Sequence, residues 1–193
     1  MKIDIFTTQT KYDIIYADPP WQYSTYDLEK RKASGATTSG LAQHHYSVMT
    51  LADLKKLPIA NIAEKDSVLC MWATFPCIPE ALDVMSAWGF KYKTCLFNWV
   101  KTNRKSGGYF MGLGHYTRAN AEVCLLGKRG KGLKRVSSSV SQIVESPLIR
   151  HSSKPAEVRD RITELFGDKK RIELLDRKST RLNSSHVSES RMP

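Results

Sequence analysis

A short apolar segment that ends abruptly in Asp-Pro-Pro-Trp constrains this chain more than any other feature. Residues 12–17 (YDIIYA) have the composition of a buried strand. Pro19 and Pro20 then exclude both a helix and further sheet pairing. Asp18 and Trp21 are therefore predicted to lie at a strand end, which is where open α/β sheets bind their ligands.

This combination of groups suits a planar base that carries an exocyclic amine. The Asp18 carboxylate and the Pro19 carbonyl can accept the two N–H protons of such an amine, and Trp21 offers a surface for stacking. An ordinary Asp-Pro turn with a buried tryptophan is the alternative interpretation. The motif alone favours neither, so the rest of the chain has to decide.

Strand-like and helix-like segments alternate along the chain. The predicted strands are residues 12–17, 67–73, 93–100, 121–127 and 170–175. The predicted helices run from Thr50, whose capping partner is Asp53, to Ile62, from Pro79 to Trp88, and from Pro155 to Gly167. This alternation predicts an α/β fold with a mainly parallel sheet and helices on both faces.

Three segments are poor in apolar residues and are predicted to be long loops, at residues 24–44, 101–120 and 128–142. Lys128 and Arg129 open a basic, glycine-containing segment that suits contact with a phosphate backbone. Lys101 and Arg118 flank a Gly-rich, aromatic stretch that suits single-stranded bases. Solvated surface charge is the alternative for both segments.

The charge of the chain favours a polyanionic partner. Thirty lysines and arginines stand against 19 acids, a formal net charge of +11. The four cysteines form no C-x-x-C pair, which predicts core thiols in a reducing cytosol and no metal site. Because neither a long apolar stretch nor a signal pattern is present, we expect a cytoplasmic protein without membrane contact.

Several segments, taken in order, resemble the MT-A70-like adenine N6-methyltransferases of bacterial or phage type. The matching segments are residues 17–21 (ADPPW), 45–50 (HYSVMT), 69–74 (LCMWAT), 88–90 (WGF), 99–103 (WVKTN), 122–127 (EVCLLG), 152–157 (SSKPAE) and 170–174 (KRIEL). The resemblance covers roughly residues 12 to 175 and implies a Rossmann-like methyltransferase sandwich. Its motif order is permuted, with the catalytic strand before the cofactor strand.

The resemblance also implies an activity and roles for individual residues. The expected reaction moves a methyl group from S-adenosylmethionine to the N6 amine of adenine in nucleic acid, with DNA favoured over RNA. The implied catalytic set is Asp18, Pro19, Pro20 and Trp21. Lys154 and Glu173 match cofactor-binding positions, and Glu122 matches a carboxylate on the substrate side. The alternatives are a solvated Lys154, a surface Glu173, and a Glu122 that pairs with Arg118.

Two other classes of function remain open at this stage. A non-catalytic nucleic-acid-binding member of the family is one, although an intact Asp18–Trp21 motif argues against it. A methyltransferase that acts on cytosine N4 or on another amine is the second. Related motifs in that group usually end in Tyr or Phe, so Trp21 favours adenine.

The C-terminal residues are predicted to be foreign to the domain. Residues 176–186 (DRKSTRLNSSH) match the translation of a common short-read sequencing adapter, and residues 190–193 match a later part of it. We therefore expect a single methyltransferase domain over residues 1–175, truncated at its C-terminal end, and disordered adapter read-through over 176–193. A genuine polar tail is the alternative. Without residues 176–193 the chain holds 26 basic against 17 acidic residues, so its net charge is still +9.

Overall fold

A central sheet with helices on either face makes up the fold. The structure is a computed structural model that describes residues 2–21, 49–112, 114, 116–148, 153–175 and 185–186. The predicted loop at 24–44 and the HYSV part of the HYSVMT segment lie outside these described residues.

The strands, in chain order, are β1 (Lys2–Ile3), β2 (Tyr12–Ala17), β3 (Ala63–Ala73), β4 (Lys91–Thr102), β5 (Ala121–Arg129), β6 (Ile143–Pro147), β7 (Arg171–Leu174) and β8 (Ser185–His186). Their order across the sheet is β1-β8-β7-β2-β3-β5-β4-β6. The five predicted strands thus correspond to β2, β3, β4, β5 and β7. Residues 185–186 pair with β1 and with Glu173. This pairing does not test whether residues 176–193 derive from a sequencing adapter, so that origin stays a prediction.

The sheet is mixed: β2, β3, β4, β6 and β7 point in one direction and β5 points in the opposite direction, so the prediction of a mainly parallel sheet is confirmed in part and fails at β5. Of the seven strand pairings in the described residues, three are parallel, namely β2 with β3, β2 with β7, and β4 with β6. The difference arises at β5, which lies antiparallel between β3 and β4. The chain returns from β4 to β5 without a crossover helix, and a return of that kind produces an antiparallel pair.

The helices are α1 (Leu51–Lys56), α2 (Ile59–Ile62), α3 (Ile78–Ala87) and α4 (Glu157–Phe166). The Thr50 hydroxyl accepts a hydrogen bond from the Asp53 N–H at 3.1 Å, so the predicted cap of α1 is confirmed. The predicted continuous helix to Ile62 was wrong, because the helix ends before Pro58 and starts again at Ile59. Proline disfavours the helical conformation in the residue before it, here Leu57.

The core has two parts, one on each face of the sheet. On one face α1, α2 and α3 pack against side chains of β2 and β3 such as Ile15 and Leu69. On the other face α4 contributes Val158, Ile162 and Phe166. Helices therefore cover both faces, as predicted.

The cysteines are free thiols. Cys70, Cys77 and Cys124 are buried and Cys95 is half-buried. Burial raises the pKa of the Cys70 thiol to about 12, so this group stays protonated at neutral pH and behaves as a small apolar side chain. The prediction of core thiols is confirmed for the three buried cysteines.

Gly127 of β5 packs tightly against Met85 of α3. A Cβ at this position would lie 2.8 Å from Met85 Sδ and 3.1 Å from Phe90 Cβ, and both neighbours are buried. We expect Gly127→Val to lower the free energy of unfolding by about 1–3 kcal/mol through overpacking. Urea denaturation followed by circular dichroism measures the change. Gly108→Val is the matched control, because its nearest neighbour would be 3.9 Å away; an equal loss in both variants would contradict the packing argument.

Candidate active site at the carboxyl edge of the sheet

The first acidic group of the site directly follows β2. The backbone N–H of Asp18 donates to the Leu174 carbonyl at 3.1 Å, and the Asp18 residue is only 6% exposed. Pro19 and Pro20 follow, so β2 cannot continue its pairing. The neighbouring strand β7 and the two prolines therefore fix Asp18 at the edge where the parallel strands β2, β3 and β7 end.

Lys154 joins two carboxylates that come from different strands. Its Nζ lies 2.9 Å from the Asp18 carboxylate and 3.2 Å from Glu122 Oε2. It also lies 5.6 Å from the ring centroid of Trp72, within the range of a cation–π contact. The side chains of Lys154 and Asp18 are each 8% exposed, so this ion pair is largely withdrawn from water.

A second lysine completes the arrangement. Lys101, near the end of β4, lies with its Nζ 2.6 Å from Glu122 Oε1 and 5.1 Å from the ring centroid of Trp99. The register of the antiparallel pair explains the contact, since Glu122 on β5 lies opposite Trp99 on β4. The result is a chain of alternating charges in the order Asp18, Lys154, Glu122 and Lys101.

The electrostatics of this chain favour the ionised form of Glu122. Burial alone would raise the pKa of this carboxyl, but the ammonium groups of Lys154 and Lys101 outweigh it and lower the pKa below its ordinary value. Each ammonium also donates a hydrogen bond to the carboxylate. Glu122 therefore pairs with Lys101 and Lys154, and the alternative pairing with Arg118 was wrong.

Glu173 lies on the neighbouring strand β7. Tyr16 of β2 is its register partner, so its carboxylate projects close to the end of β2. Arg159 on α4 donates to Glu173 Oε2 from Nε at 3.1 Å and also contacts Oε1 through Nη2. Glu173 is thus a paired, half-buried carboxylate and not a free surface acid.

A cavity of about 100 Å³ opens between these groups. The side chains that give it its chemical character are Tyr16, Asp18, Ser153, Lys154, Arg159 and Glu173. The structure therefore brings both predicted cofactor residues, Lys154 and Glu173, to the same cavity as Asp18. Glu122 and Lys101 lie behind this cavity, where they reach it through Lys154.

Trp21 lies on the other side of the sheet edge. It is 4% exposed within the core formed by α1, α2 and α3, and its Nε1 donates to the Trp72 carbonyl at 2.9 Å. The Pro19 carbonyl accepts a hydrogen bond from the Trp21 N–H at 2.9 Å. Stacking of Trp21 on a base stays a prediction, as do the roles of the other site residues.

The remaining predicted substrate residues do not come together. Arg118 is exposed three residues before β5 begins, near the edge that holds Asp18. Lys128 and Arg129 end β5, opposite Val68 and Ser67 at the start of the buried part of β3. Six residues of strand separate Lys128 from Glu122, or about 20 Å. Lys128 and Arg129 therefore cannot contact a group held beside Asp18.

Two residues at the site were not predicted from the sequence. Arg159 was not recognised, because its partner Glu173 comes fourteen residues later on a different element. Trp72 was quoted only as part of a strand, yet its Nε1 donates to the Tyr16 hydroxyl at 2.7 Å and its ring faces Lys154. An aromatic residue at the end of the strand beside β2 was the available signal for Trp72.

Within the described part of the chain, no group of three His, Cys, Asp or Glu side chains is placed to hold a metal ion. None of the helices in these residues combines the length and the apolar character needed to cross a membrane.

Comparison with known proteins identifies the family of this chain. A carboxylate that follows a buried strand and lines a cavity at the sheet edge lies where open α/β sheets bind their ligands. The MT-A70 family model matches residues 12–188. The type II methyltransferase M.MunI of a Mycoplasma species is 33% identical over 176 residues, which cover 86% of this chain and 72% of that protein.

A plant relative matches a shorter part of the chain. The N6-adenosine-methyltransferase non-catalytic subunit MTB of Arabidopsis thaliana is 29% identical over 126 residues, or 63% of this chain and 14% of that protein. The chain belongs to the MT-A70 family, so the resemblance noted in its sequence is confirmed. Together with the Mycoplasma relative, this membership supports a methyltransferase.

The lowered pKa of Glu122 predicts how its contribution to stability depends on pH. A carboxyl whose pKa is lower in the folded state stabilises the fold above its ordinary pKa of 4.5 and loses this effect as the pH falls. We expect Glu122→Gln to cost about 2–3 kcal/mol at pH 7, because it leaves two lysines without their shared carboxylate. The difference from wild type should stay constant above about pH 5.5 and shrink below the ordinary pKa.

Urea titrations at a series of pH values measure this difference. Glu145→Gln, the same change at an exposed position of β6, is the control and should have little effect. A Glu122→Gln difference that does not change down to pH 3 would contradict the assigned ion pairs.

Proposed function

We propose that this chain transfers a methyl group from S-adenosylmethionine to the N6 amine of adenine in nucleic acid, with DNA as the favoured substrate. The observation that carries the proposal is the position of Asp18, which lies at the end of β2 and lines one cavity with Lys154 and Glu173. Membership of the MT-A70 family and the type II methyltransferase of Mycoplasma support methyl transfer. The preference for DNA rests on the resemblance noted in the sequence.

The proposed task of Asp18 is to accept a hydrogen bond from the amine. The N6 lone pair of adenine is delocalised into the ring, which makes the amine a poor nucleophile. An Asp18 oxygen and the Pro19 carbonyl would accept hydrogen bonds from the two N–H groups and return electron density to nitrogen as the new bond forms. The amine would lose one proton as the N–C bond replaces the S–C bond of the sulfonium, and the product keeps the other. The Pro19 carbonyl already accepts the Trp21 N–H, but a carbonyl oxygen has a second lone pair to offer.

Lys154 controls whether Asp18 is available for this task. Its ammonium group lies between Asp18 and Glu122, with distances of 2.9 and 3.2 Å to the two carboxylates. A small shift of Nζ toward Glu122 would release an Asp18 oxygen while the lysine stays paired. Glu122 would therefore serve the reaction by holding Lys154 during that shift.

The donor set of the cavity fits S-adenosylmethionine in its chemistry. The Glu173 carboxylate can accept ribose hydroxyls, and the Lys154 ammonium can pair with the carboxylate of the amino-acid part. When bound, the cofactor supplies its methyl group from a sulfonium by in-line displacement. A cavity of about 100 Å³ is smaller than the roughly 300 Å³ of the smallest typical ligand pockets. We expect Arg159, which pairs with Glu173, to give way when a molecule of that size binds.

The strand order is compatible with a permuted, Rossmann-like arrangement. The proposed catalytic strand β2 comes early in the chain and the proposed cofactor strand β7 comes late, yet they are parallel neighbours in the sheet. Their carboxyl ends consequently lie side by side, with Asp18 after one and Glu173 near the end of the other. The order in which the catalytic and cofactor strands occur along the chain therefore does not change how Asp18 and Glu173 lie relative to each other.

Asp18→Asn tests the reaction directly. The change keeps the shape of the side chain but turns one acceptor oxygen into a donor, so we expect methyl transfer to fall by at least about a hundredfold. The measurement is N6-methyladenine in digested DNA and RNA substrates, by mass spectrometry, after incubation with S-adenosylmethionine. Asp83→Asn is the matched control, since Asp83 is exposed on α3 and away from the cavity; it should retain full activity.

Two results would overturn the proposal. N4-methylcytosine in place of N6-methyladenine would assign the chain to a different amino-methyltransferase. No product from the wild-type protein on any adenine-containing nucleic acid would favour a non-catalytic member, a class to which the Arabidopsis relative belongs by name.

Glu173→Gln tests the cofactor site apart from the chemistry. The variant loses a charged acceptor, and we expect the Kd for S-adenosylmethionine to rise about tenfold or more, the effect of one charge-assisted hydrogen bond. Isothermal titration calorimetry without nucleic acid gives this constant. Glu164→Gln on the exposed side of α4 is the control, and equal constants for Glu173→Gln and wild type would remove Glu173 from the cofactor site.

A further inference from the structure

Exposed lysines collect at the edge of the sheet opposite the cavity. We call this surface the basic edge and define it by the cations at the amino ends of β2, β3, β4 and β7, at the carboxyl end of β5, and in the segment that follows β5. Its members are Lys11, Lys65, Lys91, Lys93, Lys128, Lys131, Lys134, Arg135, Lys169 and Lys170. All are exposed except Lys128, which is half-buried.

Strand pairing places these cations in one row. Lys91 is the register partner of Lys128, and Lys128 in turn pairs with Val68 of β3, three residues after Lys65. On the other side, the Lys170 carbonyl accepts the N–H of Asp13 at the start of β2. The row crosses β7, β2, β3, β5 and β4 in that order. Four strand spacings correspond to about 19 Å.

The ten cations of this row outnumber the four acids beside them, which are Asp13, Glu64, Asp66 and Asp168. Asp66 uses Oδ1 to accept the Lys131 backbone N–H at 2.6 Å, and Asp13 accepts the Lys170 N–H at 3.1 Å. Among the described residues, no ion pair joins an ammonium group of the basic edge to a carboxylate. Arg129 is not a member, because its guanidinium donates to the Ala60 carbonyl at 2.5 Å.

The two edges of the sheet therefore carry lysines in different states. Lys101 and Lys154 at the cavity edge are mostly buried and bound to carboxylates. In the described part of the chain the cations of the basic edge have no carboxylate within ion-pair distance, and about 20 Å of β5 separates Lys128 from Glu122. A row of unpaired cations of this length matches the charge of a polyanion backbone.

We propose that the basic edge binds the phosphate backbone of nucleic acid at a second surface, apart from the cavity and without regard to base sequence. The choice of nucleic acid as the polyanion rests on the proposed function. This contact adds affinity and salt dependence, whereas the cavity selects the base. The surface acts on a segment of nucleic acid other than the nucleotide at Asp18, because the separation exceeds the reach of one nucleotide.

The test is the salt dependence of binding to a 20-base-pair duplex made only of G·C pairs. Such a duplex holds no adenine, so binding does not depend on the reaction. The Lys65→Gln/Lys128→Gln variant is compared with the wild type and with Lys55→Gln/Lys56→Gln on α1, which has the same change in charge. We expect the slope of log K against log salt to fall in magnitude by about two for the first variant and to stay unchanged for the control.

Every outcome bears on the proposal. An unchanged slope, or an equal loss in both variants, would overturn it. Binding of anionic phospholipid vesicles that depends on Lys65 and Lys128, without binding of the duplex, would assign the surface to membranes instead. A protein that methylates nothing yet behaves as expected in this assay would keep the basic edge and remove the proposed function. An active protein with an unchanged slope would do the reverse.

Discussion

The ion pair of Lys154 with Asp18 and Glu122 is the interaction on which the rest of the site depends. These three residues come from the start of the chain, the middle and a late segment, with 136 positions between Asp18 and Lys154. A lysine this deeply buried is stable only if carboxylates compensate its charge. Because removal of one partner would leave a charge buried and unpaired, the same contacts that order the site also hold β2, β5 and the start of α4 in place.

The sheet topology explains why the site can exist at all. β2 lies between β3 and β7 and is parallel to both, so three strand ends meet at one edge. β5 runs the other way, and its first residues therefore arrive at the same edge from the opposite direction. This reversal puts Glu122 beside Lys101 and within reach of Lys154. A fully parallel sheet would have placed Glu122 at the far edge.

The sequence predicted those parts of the fold that depend on local chemistry. The composition of residues 12–17 and the two prolines after Asp18 located the strand end, and Thr50 with Asp53 located the start of α1. Contacts that depend on strand register could not be predicted from the sequence. Which lysine pairs with Glu122 depends on the antiparallel pairing of β4 and β5, and no local pattern contains that pairing. The position of Trp21 could not be predicted either. A tryptophan next to this motif could form an exposed stacking surface, or it could be buried as observed, with its indole N–H donated to the Trp72 carbonyl.

The lysines at the cavity edge are paired with carboxylates, whereas those described at the basic edge are not. This difference would affect how the protein selects its substrate. Charges that are compensated internally exert little attraction at a distance, so the cavity edge contributes little to the capture of a polyanion. The formal charge of +9 that remains without residues 176–193 acts mainly through the exposed cations. Affinity and base selection would then depend on different surfaces, and a change in ionic strength would affect the first far more than the second. If the proposed function holds, the protein would bind nucleic acid firmly without a strong electrostatic field in the cavity where we propose that an uncharged amine reacts.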